Sequence, residues 1–90
     1  VDGIVTGREQ RLRRCLEERF SPAVLVIEDE GHLHAGHAGA AQGLGHFRVR
    51  IVAEAFRGVA PLARHRMVYA AVGDLLKTDV HALSIDASAP

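Results

Sequence analysis

Apolar and polar positions recur along this chain with two periods, and together they mark out two helices and three strands. In residues 8–20 (REQRLRRCLEERF), Leu12, Cys15, Leu16 and Phe20 fall at i, i+3, i+4 and i+8, which predicts a helix with one apolar stripe. Thr6 is a candidate cap, with Glu9 three residues later as in a capping box. Ser21-Pro22 closes this helix, because proline disfavours helical backbone in the residue before it. Residues 23–29 (AVLVIED) are β-branched and apolar and predict a strand. Residues 46–53 (HFRVRIVA) alternate cleanly: Phe47, Val49 and Ile51 face one way, and His46, Arg48 and Arg50 the other. That pattern predicts a strand with one buried face, paired with the first as a hairpin.

Residues 56–61 (FRGVAP) predict a turn, and residues 62–77 (LARHRMVYAAVGDLLK) a second long helix. Its apolar stripe is Val68, Ala71, Val72, Leu75 and Leu76, interrupted by Gly73 at a cost of about 1 kcal/mol against alanine. Residues 80–86 (VHALSID) predict a third strand, with His81, Leu83 and Ile85 on one face and Val80, Ala82 and Ser84 on the other. Residues 1–7 read as an N-terminal extension and residues 86–90 as a frayed end. No repeat or linker divides the chain, so residues 1–90 form one domain. The last strand follows a helical crossover and should run parallel to the second. Three strands cannot cover themselves, so both helices should lie on one sheet face, giving a two-layer α+β domain whose other face is open.

Charge narrows the function. Eleven Lys and Arg balance eleven Asp and Glu, so no bulk electrostatic field draws the chain to nucleic acid. The single cysteine, Cys15, excludes an internal disulfide or an all-cysteine metal cage, and its place on the first helix reads as core. A reducing compartment fits, the bacterial cytoplasm first and a mitochondrial origin left open. No apolar run approaches the ~20 residues of a membrane span, so no membrane partner is expected. VDGIVTG does not read as a secretory leader. No nucleophile–base–acid constellation and no phosphate-cradling glycine motif is present, so no enzyme is expected.

The candidate chemistry is imidazole. Residues 31–46 (GHLHAGHAGAAQGLGH) hold four of the six histidines: His32, His34, His37 and His46. Nine of the fifteen residues 31–45 are Gly or Ala, which pack poorly, so this should be the most mobile internal segment. Its H-x-H-x-x-H run is a weak zinc or nickel signal on a backbone with little rigidity, so each of these side chains reads first as a solvated bystander and second as a ligand. His46 suits a solvated sheet face or, second, a nucleic-acid-facing one. His81 reads either as a strand-end histidine held by a hydrogen bond or as a ligand. His65 lies three residues before Val68, near the apolar stripe, which suggests a hydrogen-bonded structural role. Arg64 and Arg66 stand near the helix start, where a cation opposes the helix dipole. They suit a partner's acidic groups, or else a salt bridge to Glu54 or another nearby acid.

Phe56, Gly58, Leu62, the Arg64-His65-Arg66 triplet, Val68-Tyr69 and the Val80-His81-Ala82-Leu83 run resemble the BolA family, as do HFRV at 46–49 and the ED before the loop. The resemblance implies a class II KH-like α+β fold, αββααβ, with a three-stranded mixed sheet. It implies partnership with a monothiol glutaredoxin and a shared [2Fe–2S] cluster, used in iron–sulfur maturation or iron sensing. His81 would be one ligand. The loop would supply another, as in the histidine-type members: His34 by counting from Glu30, then His37, then His32. Glutaredoxin and its glutathione would provide the rest, so no cluster is expected in the isolated protein, a monomer or weak homodimer. Arg64, His65, Arg66 and Tyr69 would be partner or nucleic-acid contacts. The alternative that the resemblance carries is a DNA-binding transcriptional regulator, although the GVAP turn lacks the basic glycine-rich loop of nucleic-acid-binding KH domains.

Overall fold

A computed structural model describes residues 7–30, 45–78, 80 and 82–90. The order of elements is α1 (Gly7–Phe20), β1 (Val24–Asp29), β2 (His46–Val52), a 3-10 turn (Glu54–Phe56), α2 (Pro61–Val72), a second 3-10 stretch (Gly73–Lys77) and β3 (Ala82–Ser88). The sheet order is β1-β2-β3. β1 pairs antiparallel with β2, from Val24 opposite Val52 to Asp29 opposite Phe47. β3 runs parallel to β2, from Ala82 beside His46 to Ser88 beside Val52. The mixed three-stranded sheet and its pairing directions are those the sequence predicts. The αββααβ pattern is met with a single 3-10 turn between β2 and α2.

The core lies between one sheet face and the two helices. Leu12, Leu16 and Phe20 of α1 and Val68 and Val72 of α2 close over Ile27, Phe47, Val49 and Ile51, together with Ala53, Phe56 and Val80. The central strand shows the alternation in its purest form, because it has a neighbour on each side and helices on one face: Phe47, Val49 and Ile51 are buried while Arg48 and Arg50 are exposed. Cys15 is only half-buried, at the margin of the α1 stripe rather than inside the core.

Three expectations change. The second helix is not continuous to Lys77: Gly73 takes φ +56°, ends α2 and turns the chain into a 3-10 stretch. A left-handed φ is strained for any side-chain-bearing residue, so the glycine acts as a stop and not as a mere weak point. Leu76 accordingly points to solvent and leaves the apolar stripe. Val80 lies before β3 instead of opening it; its N–H donates to the Leu75 carbonyl at 2.8 Å and its side chain is buried in the core. Finally, residues 86–88 are not frayed. They continue the β2 ladder, and Ala53 N–H donates to the Ser88 carbonyl at 2.9 Å. The loop expectation for residues 31–44, and the Thr6 cap, fall outside the described residues. Gly45, at the loop's return, is buried with φ +86°.

Candidate functional site

One end of the sheet gathers the chain positions that matter. β1 finishes with Asp29 opposite Phe47, and Glu30 N–H donates to the His46 carbonyl at 2.7 Å. The chain leaves the sheet there and rejoins it at Gly45. Ala82 N–H donates to the Gly45 carbonyl at 3.3 Å, so the return of the loop and the start of β3 are direct neighbours. Arg48 reaches Glu30 with Nε 3.2 Å from its carboxylate and pins the point of departure. His46 is half-buried at this end and already has an interaction partner.

His34, His37, His32 and His81 lie outside the described residues. The segment holding the loop histidines is bounded by Glu30 and Gly45, and His81 is bounded by Val80 and Ala82; all four bounding residues sit at or beside this end of the sheet. Among the described residues no group of three or more His, Cys, Asp or Glu could hold a metal ion. The sequence around this end, residues 29–46 and 80–82, holds histidines and the carboxylates of Asp29 and Glu30, and the chain's one cysteine is Cys15 on α1. Such a set fits a centre whose thiolate ligands come from elsewhere, since neutral imidazole binds iron well and replaces thiolate on iron–sulfur clusters.

α2 divides the predicted contact residues into two pairs. Arg64 is half-buried and turned inward: its Nε donates to the Val59 carbonyl at 2.7 Å and its Nη1 to the Ala87 carbonyl at 2.9 Å. It makes no salt bridge to Glu54. That carboxylate belongs to Arg57, which holds it bidentately at 2.6 and 3.0 Å. Tyr69 donates its hydroxyl to the Leu83 carbonyl at 3.1 Å. His65 and Arg66, by contrast, are exposed, and among the described residues neither makes a side-chain hydrogen bond or ion pair, including the one expected of His65. His65 stands three and seven residues before buried Val68 and Val72, on the same side of α2, but in its first turns, where the side chain is exposed. Leu62, 62% exposed, accompanies them on the outside.

Sequence reasoning missed Arg57. Its guanidinium links Glu54 to the Pro90 carbonyl at 3.0 Å and so ties the chain's last residues to the 3-10 turn. The i, i+3 Glu–Arg spacing was a readable signal for the pair; the Pro90 carbonyl was not. Hydrogen bonding from Arg57 holds the Glu54 carboxyl below its ordinary range and raises Arg57 in turn.

The uncovered sheet face carries a shallow depression of about 300 Å³ lined by Val26, Glu28, Arg48, Arg50 and Asp86 among others. Its charges are of mixed sign, so it builds no single-sign field of the kind that collects phosphates. No helix among the described residues is long and apolar enough to cross a membrane.

A family model described as BolA-like protein matches residues 16–90. The chain is 42% identical over 89 residues to SufE-like protein 1, chloroplastic/mitochondrial, of Arabidopsis thaliana, covering 93% of this chain and 24% of that protein. It is 42% identical over 88 residues to BolA-like protein 1 of Homo sapiens, covering 98% of this chain and 62% of that one. The chain therefore spans less than two thirds of these relatives. Among solved structures, the BolA domain of SufE1 from Arabidopsis thaliana superposes with a TM-score of 0.84 at 42% identity, covering 96% of this chain and 95% of that one.

Proposed function

This chain belongs to the BolA-like family, and from that membership we propose that it is an adaptor that pairs with a monothiol glutaredoxin and donates histidine ligands to a [2Fe–2S] cluster held between them. The observation that carries the reading is the Ala82–Gly45 backbone bond, which makes the flank of His81 a neighbour of the histidine-rich loop's return. His81 is assigned as one ligand and His34 as the other, with His37 as its substitute. The partner's cysteine and its glutathione supply thiolates, which this chain lacks at that end. When bound, the cluster supplies iron–sulfur redox and transfer chemistry; the chain's own part is ligand donation and docking. His65 and Arg66, exposed and uncommitted, are suited to a partner's carboxylates, glutathione included. A reducing compartment is the setting this requires, because it preserves the partner's thiolates.

The test is anaerobic cluster reconstitution of the chain alone, of the glutaredoxin alone, and of the two mixed, read by visible absorption and circular dichroism. The mixture should give a spectrum that neither protein gives singly. A mixture spectrum equal to the sum of the two, or an equally stable cluster on this chain alone, would overturn the proposal. Binding to arbitrary duplex DNA at physiological salt is expected to be no tighter than about 10⁻⁴ M, the weak end of non-specific affinity. Micromolar binding abolished by Arg66→Ala would favour the regulator instead.

A further inference from the structure

The two edges of the sheet are finished differently. Parallel pairing with β2 turns Leu83, Ile85 and Ala87 of β3 to the outside. Two of their carbonyls are taken by side chains of α2, Leu83 by the Tyr69 hydroxyl and Ala87 by Arg64. On β1 the bond from Glu30 N–H to the His46 carbonyl fixes the phase of the antiparallel ladder. Val24, Val26 and Glu28 therefore bond to β2, while Leu25 and Ile27 turn their N–H and C=O groups to the free edge. The Leu25 carbonyl accepts from Arg13 Nη1 in a long contact of 3.5 Å, which places that guanidinium over the edge. The Leu25 N–H and both backbone groups of Ile27 have no hydrogen-bond partner among the described residues.

A free strand edge is a template for another strand, and proteins commonly blunt it with lysine, proline or a charge. Between Val24 and Ile27, β1 has none of these. Val24 and Val26 stand instead 39% and 43% exposed on the open sheet face beside that edge. The strand is also complementary to itself. When a second copy pairs antiparallel with Val26 on the twofold axis, Val26 meets Val26 and Leu25 meets Ile27, and the outward groups of Leu25 and Ile27 exchange backbone bonds with their counterparts. Val24 meets Glu28 of the second copy, so no like charges stand opposite each other. Asp29 of the second copy lies diagonal to Leu25 on the helix side, within reach of Arg13.

We infer that β1 is a self-association edge: two copies of this chain join antiparallel about Val26, merging their three-stranded sheets into one. The occupant is a second copy because this one register matches apolar to apolar and carboxylate to guanidinium from both sides at once. The pairing leaves α2 and the β3 edge uncovered, so it stands apart from the proposed cluster ligation.

The experiment is sedimentation equilibrium of the full chain, wild type against two lysine variants. The interface is small, so the wild-type dimer should form with a Kd of about 10⁻⁴ M. Val26→Lys sets two cations face to face on the axis and should weaken the dimer about tenfold. Val24→Lys sets its cation opposite Glu28 and should leave the Kd within about twofold of wild type, or tighten it. Both positions are exposed, and a thermal melt of each variant checks that the fold is kept. Disulfide trapping reads the register. In a Cys15→Ser background with oxidised glutathione, Val26→Cys should cross-link, because the Cα atoms of such an opposed pair lie about 4.5 Å apart. Val24→Cys alone should not, since its counterpart is displaced by about 14 Å along the strand, but it should cross-link when mixed with Glu28→Cys. A wild-type chain that stays monomeric up to about 1 mM overturns the inference. So does equal weakening by the two lysines, or trapping at Val24 as fast as at Val26, either of which puts the contact on another face or in another register.

Discussion

At the Ser88 end of the β2–β3 ladder, backbone, ring and guanidinium contacts coincide. Ala53 and Phe56 are fully buried there, the Phe56 ring lies 5.0 Å from that of Phe20, and Arg57 and Arg64 hold the carbonyls of Pro90, Val59 and Ala87. At the Ala82 end the supports include the backbone bonds made by Glu30, Val80 and Ala82, the Arg48–Glu30 pair and the Tyr69 hydroxyl. One end spends its cations on its own backbone. The other is the end at which the proposed ligands would be offered. The two ends are thus held by different kinds of contact, and substitutions at them should fail differently.

The largest effect is expected from Phe56→Ala. Removing a fully buried aromatic ring should cost about 3–5 kcal/mol, a large part of the stability of a domain this size. Urea titration followed by far-UV circular dichroism measures it, and a midpoint close to wild type would break the picture of a clamped end. Arg64→Met comes next. It keeps the aliphatic stem but orphans two carbonyls, for an expected loss of about 2 kcal/mol in the same titration.

Gly73→Ala sharpens the contrast by its sign. Helix propensity alone predicts a gain of up to about 1 kcal/mol, whereas the positive φ predicts a loss of about 1–2 kcal/mol. No atom stands within 4 Å of where the new methyl would go, so backbone strain alone decides the outcome. The smallest effect belongs to Glu54→Gln. Arg57 favours the ionised carboxyl in the fold, so its contribution is present above the ordinary value of 4.5 and fades as pH falls through the lowered folded value. Because the pair is fully exposed, wild type and variant should melt alike at neutral pH. Any gap seen there should narrow on acidification below about pH 4.

Legibility in the sequence followed the range of the interactions. The β2 alternation was readable because Phe47, Val49 and Ile51 answer to a single buried face. The α1 stripe was readable for the same reason, with Cys15 at its margin. The end of β3 was not, because its pairing depends on the length of β2 and on arginines far along the chain. Gly73 was legible as a weak point, but its φ depends on how the chain must turn to bring Val80 inside. The RHR-x-VY motif marked Arg64 and Tyr69 as special without showing their direction. Their acceptors are backbone carbonyls up to 23 residues away, which leave no trace in residue type. His65 and Arg66, from the same motif, did emerge on the surface that a partner could reach.

The central claim is that His81 ligates a cluster shared with a glutaredoxin. Its most direct test is the visible circular dichroism of the reconstituted pair, wild type against His81→Ala, with a thermal melt of each isolated chain as the control for folding. The account predicts that the variant melts within about 1–2 kcal/mol of wild type, the range of an ordinary single substitution, and that the cluster signal of the pair disappears. A folded His81→Ala variant whose pair with glutaredoxin gives the wild-type spectrum would contradict it.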